Sequence, residues 1–306
     1  MAPDSQYLVD TPIPKVHLIP DFITHQEELY LLGKIEQIAS LQVTGTDGGA
    51  TSESDVTSFA TKHRAGGWKD VKGRRSMIWG GTVLPKTGTL IPSPSIPPFM
   101  NSTFPNVFER VKATGAFQGS SFGGPNHVLV NEYLPGQGIM VRNGVRSTLA
   151  SVLNFSIPLR RFDTSQIWSQ PHEDGPAYFK TVTTLSLGSH TILDLYEYTN
   201  DASDSTAATD SQPGSGGRSI NHEPILSIYQ PPRSLLILSE DLYTRCLHGI
   251  AERKADSAAD LTKCVNWDRS IDGLSSSANA EGGGELERTR RVSLTMRCVE
   301  KVKRLF

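Results

Sequence analysis

The chain has 306 residues, 37% of them hydrophobic and 20% charged, enough for one large β-rich domain or two small ones. Its net charge of −2 and pI near 6.5 exclude a uniformly basic nucleic-acid binder, so any such contact must come from a local patch. No apolar run reaches the ~18 residues of a membrane span, and the start Met1-Ala-Pro-Asp-Ser5 has no basic region followed by an apolar one. Three cysteines, at 246, 264 and 298, give neither a disulfide framework nor metal-ligand spacing. Together these features suit a reducing, intracellular setting, nucleus and/or cytoplasm.

In chain order, Val16–Asp21 reads as a short strand. Thr24 and Glu27 form a capping box for a helix to about Ser40. Its stripe of Leu31, Leu32, Ile35, Ile38 and Ala39 is core packing. The Gly/Ser/Thr-rich stretch Gln42–Thr61 follows, and then a basic run, Lys62–Arg75. Within that run Trp68, Lys69, Lys72, Arg74 and Arg75 could stack a base and hold phosphate, or form an exposed hairpin face. Lys86–Pro98 is Pro-rich and extended. Pro105–Ala116 reads as a second helix, with Pro105 in its first turn and Gly115 at its end. Strands are expected at His127–Leu134, Pro171–Gly188 in two pieces, Thr191–Tyr198, Ile225–Tyr229, Ser234–Leu238, Thr244–Gly249 and Arg291–Val299. Two Ser/Ala/Asp/Gly-rich loops, Asn200–Ser219 and Lys254–Gly284, should be poorly ordered. The basic tail Lys301–Phe306 should be solvated, and no internal repeat is present.

One constellation carries chemistry. His172 and Asp174 lie two apart, so on a strand both side chains point the same way while Glu173 points away. With His248 from another strand they make the two-His, one-carboxylate set of a non-haem Fe(II) site, although ligand type alone also permits manganese or cobalt. In Arg291-Val-Ser-Leu-Thr-Met-Arg297, Arg291, Ser293, Thr295 and Arg297 share one face, and Val292, Leu294, Met296 and Cys298 the other. Two arginines on one face suit a dicarboxylate, because a guanidinium grips a carboxylate with two parallel hydrogen bonds. Asn131 and Tyr133 share a face of their own strand and could donate to the same ligand. Singly, each part has a plainer reading: His-x-Asp is common, and paired strand arginines are usually a solvated face. Their order along the chain is what sets them apart.

That order, with Asn131-Glu-Tyr-Leu-Pro-Gly-Gln-Gly-Ile-Met140, Pro171-His-Glu-Asp-Gly-Pro176 and Ser186-Leu-Gly-Ser-His190, resembles the AlkB family of Fe(II)/2-oxoglutarate dioxygenases. It most resembles the homologue 6 branch. The resemblance covers 126–140, 171–198 and 232–249 and ends at 291–297. It implies a mainly β (α+β) fold, a double-stranded β-helix or jelly roll with flanking N-terminal helices. The division implied is 1–125 as an extension carrying helices and a nucleotide-recognition lid, and 126–306 as the catalytic core. It implies iron on His172, Asp174 and His248. It also implies 2-oxoglutarate on Arg291, helped by Ser293 and touched by Asn131 and Tyr133, with Arg297 near co-substrate and target base. With O2 as the other co-substrate, the reaction implied removes a methyl group from nitrogen as formaldehyde. Alkylated nucleic acid is the implied partner, with no membrane association; oligomeric state is left open.

The chain departs from that pattern at Val141–Gln170, 30 residues inserted before the first two ligands. Val-Arg-Asn at its start and Gln at its end can be encoded as intron borders, which suggests a retained intron read as protein. A phosphate-touching lid is the competing reading, from Arg142, Arg146, Arg160 and Arg161 against the single Asp163. Two further functions stay open here: a non-catalytic jelly-roll binding module disabled by the insert, and a dioxygenase acting on protein.

Overall fold

The computed structural model describes residues 3–11, 15–40, 67–93, 95–139, 177–199, 220–244, 246–267 and 285–303. Fifteen strands, five α-helices and one 3-10 helix (Ser5–Tyr7) are formed among them. The strands are β1 (Val16–Ile19), β2 (Lys69–Val71), β3 (Arg74–Trp79), β4 (Thr82–Leu84), β5 (Thr89–Ile91), β6 (His127–Tyr133), β7 (Tyr178–Leu187), β8 (Thr191–Tyr196), β9 (Leu226–Gln230), β10 (Leu235–Ser239), β11 (Leu247–Gly249), β12 (Ala255–Asp256), β13 (Leu286–Glu287), β14 (Arg291–Val299) and β15 (Lys301–Val302). The helices are α1 (His25–Ser40), α2 (Pro98–Asn101), α3 (Val107–Ala113), α4 (Asp241–Thr244) and α5 (Ala258–Thr262).

Seven strands form one antiparallel sheet in the order β1-β10-β7-β14-β6-β3-β2. A smaller antiparallel sheet has the order β11-β8-β9. Period-2 alternation gives the large sheet two different faces. On its outer face Val292, Leu294, Met296 and Cys298 of β14 join Val128 and Val130 of β6 and Met77 and Trp79 of β3 in a core shared with helices α1 to α3. On its inner face Val182, Leu236, Leu238 and Tyr133 meet Leu193, Leu195, Leu226 and Ile228 of the small sheet. The chain is therefore mainly β: two sheets face to face, a jelly roll with helices on the outside. Residues 1–125 supply β1, β2 and β3 to the same large sheet as the strands that follow.

The expected first helix forms. Thr24 Oγ1 accepts from Glu27 N at 3.2 Å, and the Glu27 carboxylate accepts from Thr24 N at 2.7 Å. Leu31, Ile35 and Ile38 are fully buried, each contributing roughly 1.5–3 kcal/mol of burial free energy. Glu28 is buried too and accepts from Gly188 N at 2.8 Å, tying α1 to the β7–β8 turn.

Four expectations need correction. The second helix starts at Val107, not at Pro105, because Asn106 adopts a left-handed conformation (φ 51) and caps Glu109 N through its side chain. The stretch 86–98 is extended only in part: β5 is, but Thr87 N and Gly88 N donate to Leu84 O in a turn before it, and α2 begins at Pro98. The tail after β14 is not simply solvated, since β15 pairs in parallel with β5. Part of the second low-complexity loop is ordered: Ser257 and Asp260 make a capping box for α5, and Leu261 and Cys264 pack on Ile192 and Tyr229. Composition hid that short signal. The rest of that loop, the loop 200–219 and the stretch 42–61 lie outside the described residues.

Candidate active site

The inner face of the large sheet carries polar side chains in rows set by strand register. Ser76, Asn131, Ser293 and Ser186 lie side by side across β3, β6, β14 and β7. Beside that row, Tyr133 pairs with Arg291. On its other side come Leu129, Thr295 and Thr184, then His127, Arg297 and Val182. Arg291, Ser293, Arg297, Asn131 and Tyr133 are thus brought onto one buried face, as alternation predicts.

Arg291 is the electrostatic centre of that face. Its Nη2 donates to Ser186 Oγ at 2.9 Å and to Gln230 Oε1 at 3.3 Å. Its guanidinium lies 5.5 Å from the Tyr133 ring centroid, and its Nε is buried without a hydrogen-bond partner. Burial pushes its pKa down to about 10, with Tyr133 acting to raise it and Arg288 to lower it further. Among the described residues no carboxylate contacts it. A buried cation with an unused donor is a receptor for an anion. Arg297, equally buried, lies 5.3 Å from the ring of Tyr178.

Asn131 is held from one side. Its Oδ1 accepts from Arg74 Nε at 3.1 Å and from Ser76 Oγ at 2.6 Å, so its Nδ2 edge is the one turned elsewhere. Gln230 comes from β9 in the small sheet and also accepts from Ser186 Oγ at 3.2 Å. Sequence reasoning quoted Ser186 only as part of a motif and did not name Gln230. A readable signal existed for Gln230, a polar residue at the position that continues the buried Leu226 and Ile228 alternation.

His248 stands on β11 opposite Leu195. Paired residues share a face, and Leu195 belongs to the core between the sheets. His248 therefore starts from the same interior as Arg291. The glycine-rich segment after β6 braces this strand: Ile139 pairs with Ile250, two residues past His248. A Cβ on Gly138 would meet Ile250 O at 2.2 Å, so only glycine permits that approach. His172, Asp174 and the insert 141–170 lie outside the described residues. Among the described residues no cluster of three His, Cys, Asp or Glu side chains could hold a metal ion.

The basic run divides by alternation. Lys69 and Lys72 are exposed on the β2–β3 hairpin. Arg75 points to the outer face, where it pairs with the buried Glu132 and lies 4.8 Å from the half-buried Trp68 ring. Arg290 pairs with Glu132 as well, and the two guanidiniums hold that carboxyl below its ordinary range although burial acts to raise it. Arg74 points inward to Asn131 and is buried. Trp68 and Arg75 thus stand together on the outer side of the sheet.

No protein-family model matches the chain. It belongs to the AlkB-like family of Fe(II)/2-oxoglutarate dioxygenases and is an enzyme of that class, as its similarity to a curated relative shows. That relative, from Danio rerio, is named probable RNA/DNA demethylase ALKBH6. It is 32% identical over 299 residues, 98% of this chain and 92% of its own length. A solved structure of OsALKBH1 covers 94% of this chain and 100% of its own at 15% identity, with a TM-score of 0.38, a likeness too distant to bear on the fold. No helix among the described residues is long and apolar enough to cross a membrane.

Proposed function

We propose that this enzyme is an Fe(II)- and 2-oxoglutarate-dependent demethylase of alkylated nucleic acid. The observation that carries this reading is Arg291, a buried guanidinium without a carboxylate partner among the described residues, on the interior that His248 also faces. The donor set fits the groups concerned. Arg291 would take the distal carboxylate of 2-oxoglutarate, with Ser293 and the Tyr133 hydroxyl beside it. Asn131 would offer its Nδ2 edge to the same molecule, and Arg297 would sit near co-substrate and target base. His172, Asp174 and His248 would hold the iron. When bound, Fe(II) with O2 supplies the oxidation that turns 2-oxoglutarate into succinate and CO2 and an N-methyl group into formaldehyde. One oxygen atom of O2 ends in succinate and the other in formaldehyde. The nucleic-acid contact falls to Lys69 and Lys72, the exposed cations of the β2–β3 hairpin.

The test is Fe(II)-dependent release of succinate and formaldehyde from N-methylated oligonucleotides, with His248→Ala and Arg291→Ala as controls. It is run on the full chain and on a chain lacking 141–170. Turnover in the shortened chain alone supports the retained-intron reading; turnover in both makes the insert a tolerated loop. Formaldehyde from methylated peptides but from no oligonucleotide would move the substrate to protein and refute the nucleic-acid assignment.

A further inference from the structure

Most other arginines among the described residues meet carboxylates. Arg75 and Arg290 share Glu132, Arg110 meets Glu27, Arg233 meets Asp21, Arg253 meets Asp260, and Arg288 is gripped by Asp256. Arg291, more buried than any of these, meets among the described residues only the neutral oxygens of Ser186 and Gln230. The three form a closed set: Arg291 donates to both, and Ser186 donates to Gln230.

Glutamate has the shape of glutamine and would be the ordinary counter-ion for a buried guanidinium. At position 230 it would sit within hydrogen-bond distance of Nη2, as Gln230 Oε1 does at 3.3 Å. Such a pair would satisfy Arg291 from within the protein and place a negative charge where an incoming carboxylate must go. The neutral amide instead fixes one end of the guanidinium and leaves its charge unmatched, with Nε still to be bonded.

We infer that Gln230 is a specificity residue: its neutrality reserves the Arg291 charge for the ligand, so the site selects a 2-oxo acid with a second, distal carboxylate. This rests on the co-substrate reading of the preceding section. Gln230 acts through Arg291 and need not touch the reacting atoms. Selectivity here is a difference between two affinities, set by what a monoanionic competitor leaves unpaired.

The test is Gln230→Glu in the full chain loaded with Mn(II), which prevents turnover. Tryptophan fluorescence titrations compare 2-oxoglutarate with 2-oxopentanoate, the same chain with a methyl group in place of the distal carboxylate. The expected result is a loss of roughly 10- to 100-fold in 2-oxoglutarate affinity, the worth of a charge-assisted hydrogen bond. Affinity for 2-oxopentanoate should stay within about twofold of wild type, and ligand-free melting should be unchanged or higher. Wild-type preference for 2-oxoglutarate in Gln230→Glu would overturn the inference. An equal loss for both acids would also overturn it, because that marks a merely structural role. Gln230→Met, which adds no charge, should keep the dicarboxylate preference and stands as the test should the Glu variant fail to fold; loss of preference in it is equally fatal. If the wild-type enzyme itself binds no 2-oxoglutarate, the co-substrate reading falls first and takes the role of Gln230 with it.

Discussion

Arg291→Met separates a receptor cation from a structural one. Burial lowers the Arg291 pKa from 12.5 to about 10, which puts the cost of keeping it charged without a ligand at roughly 3 kcal/mol. Its hydrogen bonds to Ser186 and Gln230, donated by a charged group, offset roughly 1.5 kcal/mol each. Methionine fills most of the volume, and Ser186 and Gln230 still bond to one another. The ligand-free variant should therefore match wild type to within about 1 kcal/mol, a shift of no more than about 4 °C in melting temperature. Co-substrate behaves oppositely: at a hundredfold excess over its Kd, 2-oxoglutarate should stabilise wild type by about 2.7 kcal/mol and the variant hardly at all. Differential scanning fluorimetry with and without 2-oxoglutarate and Mn(II) reads both quantities. A ligand-free loss above about 2 kcal/mol would mean that Arg291 holds the fold together, and the receptor argument would be refuted.

Two further perturbations address the frame and the substrate face. Asp256 is fully buried, grips Arg288 at 2.6 and 2.7 Å and lies 2.9 Å from His190 Nε2. Asp256→Asn leaves Arg288 buried and uncompensated and should cost about 3–5 kcal/mol in urea unfolding. The Asp256 pKa is lowered: burial acts to raise it, but the bonds and charges of His190 and Arg288 outweigh that. A lowered folded-state pKa gives stability that is present above the unfolded value and lost as pH falls through the folded one. Wild type should thus lose stability below about pH 4, and Asp256→Asn should flatten that fall; an unchanged acid limb would count against the assignment. Asp194, whose pKa burial raises, acts with the opposite sign, its contribution fading as pH rises through its raised value. For the hairpin, Lys69→Ala with Lys72→Ala should lower the salt-dependence slope of single-stranded oligonucleotide binding by about 1.4 and leave melting unchanged. An unaltered slope would remove the hairpin from the interface.

Much of the frame was legible because its signals are local. Arg291–Val299 is a strand with the expected bounds, and the Thr24–Glu27 capping box starts α1 as the side-chain chemistry requires. Alternation alone placed Arg291, Ser293 and Arg297 opposite Val292, Leu294 and Met296. Composition served less well. The Lys254–Gly284 stretch reads as a Ser/Ala loop, yet Asp256 anchors it to Arg288 and Leu261 anchors it to Ile192. Two apolar side chains and one buried charge outweighed the local bias, and only the strands they dock on reveal that.

The site was legible by type and not by partnership. Sequence order gave the cations, but whether a strand arginine is a solvated face or a receptor depends on what stands across from it. That partner comes from another sheet, because Gln230 ends β9, 61 positions before Arg291 in the chain. The same logic divides the adjacent Arg74 and Arg75. One basic dipeptide on a strand must send its side chains to opposite faces. Arg75 goes out to Glu132, and Arg74 goes in to Asn131, where with Ser76 it fixes which edge of the amide faces away. A charge run read as one patch is therefore two devices, one bracing the outer face of the sheet and one setting the donors of the inner face. The inner face keeps its charge because the outer face takes the carboxylates: Glu132 neutralises two arginines outside, while Gln230 and Ser186 leave Arg291 unmatched inside. Under the proposed function, binding of a dianion would be the step that completes the electrostatics of that face.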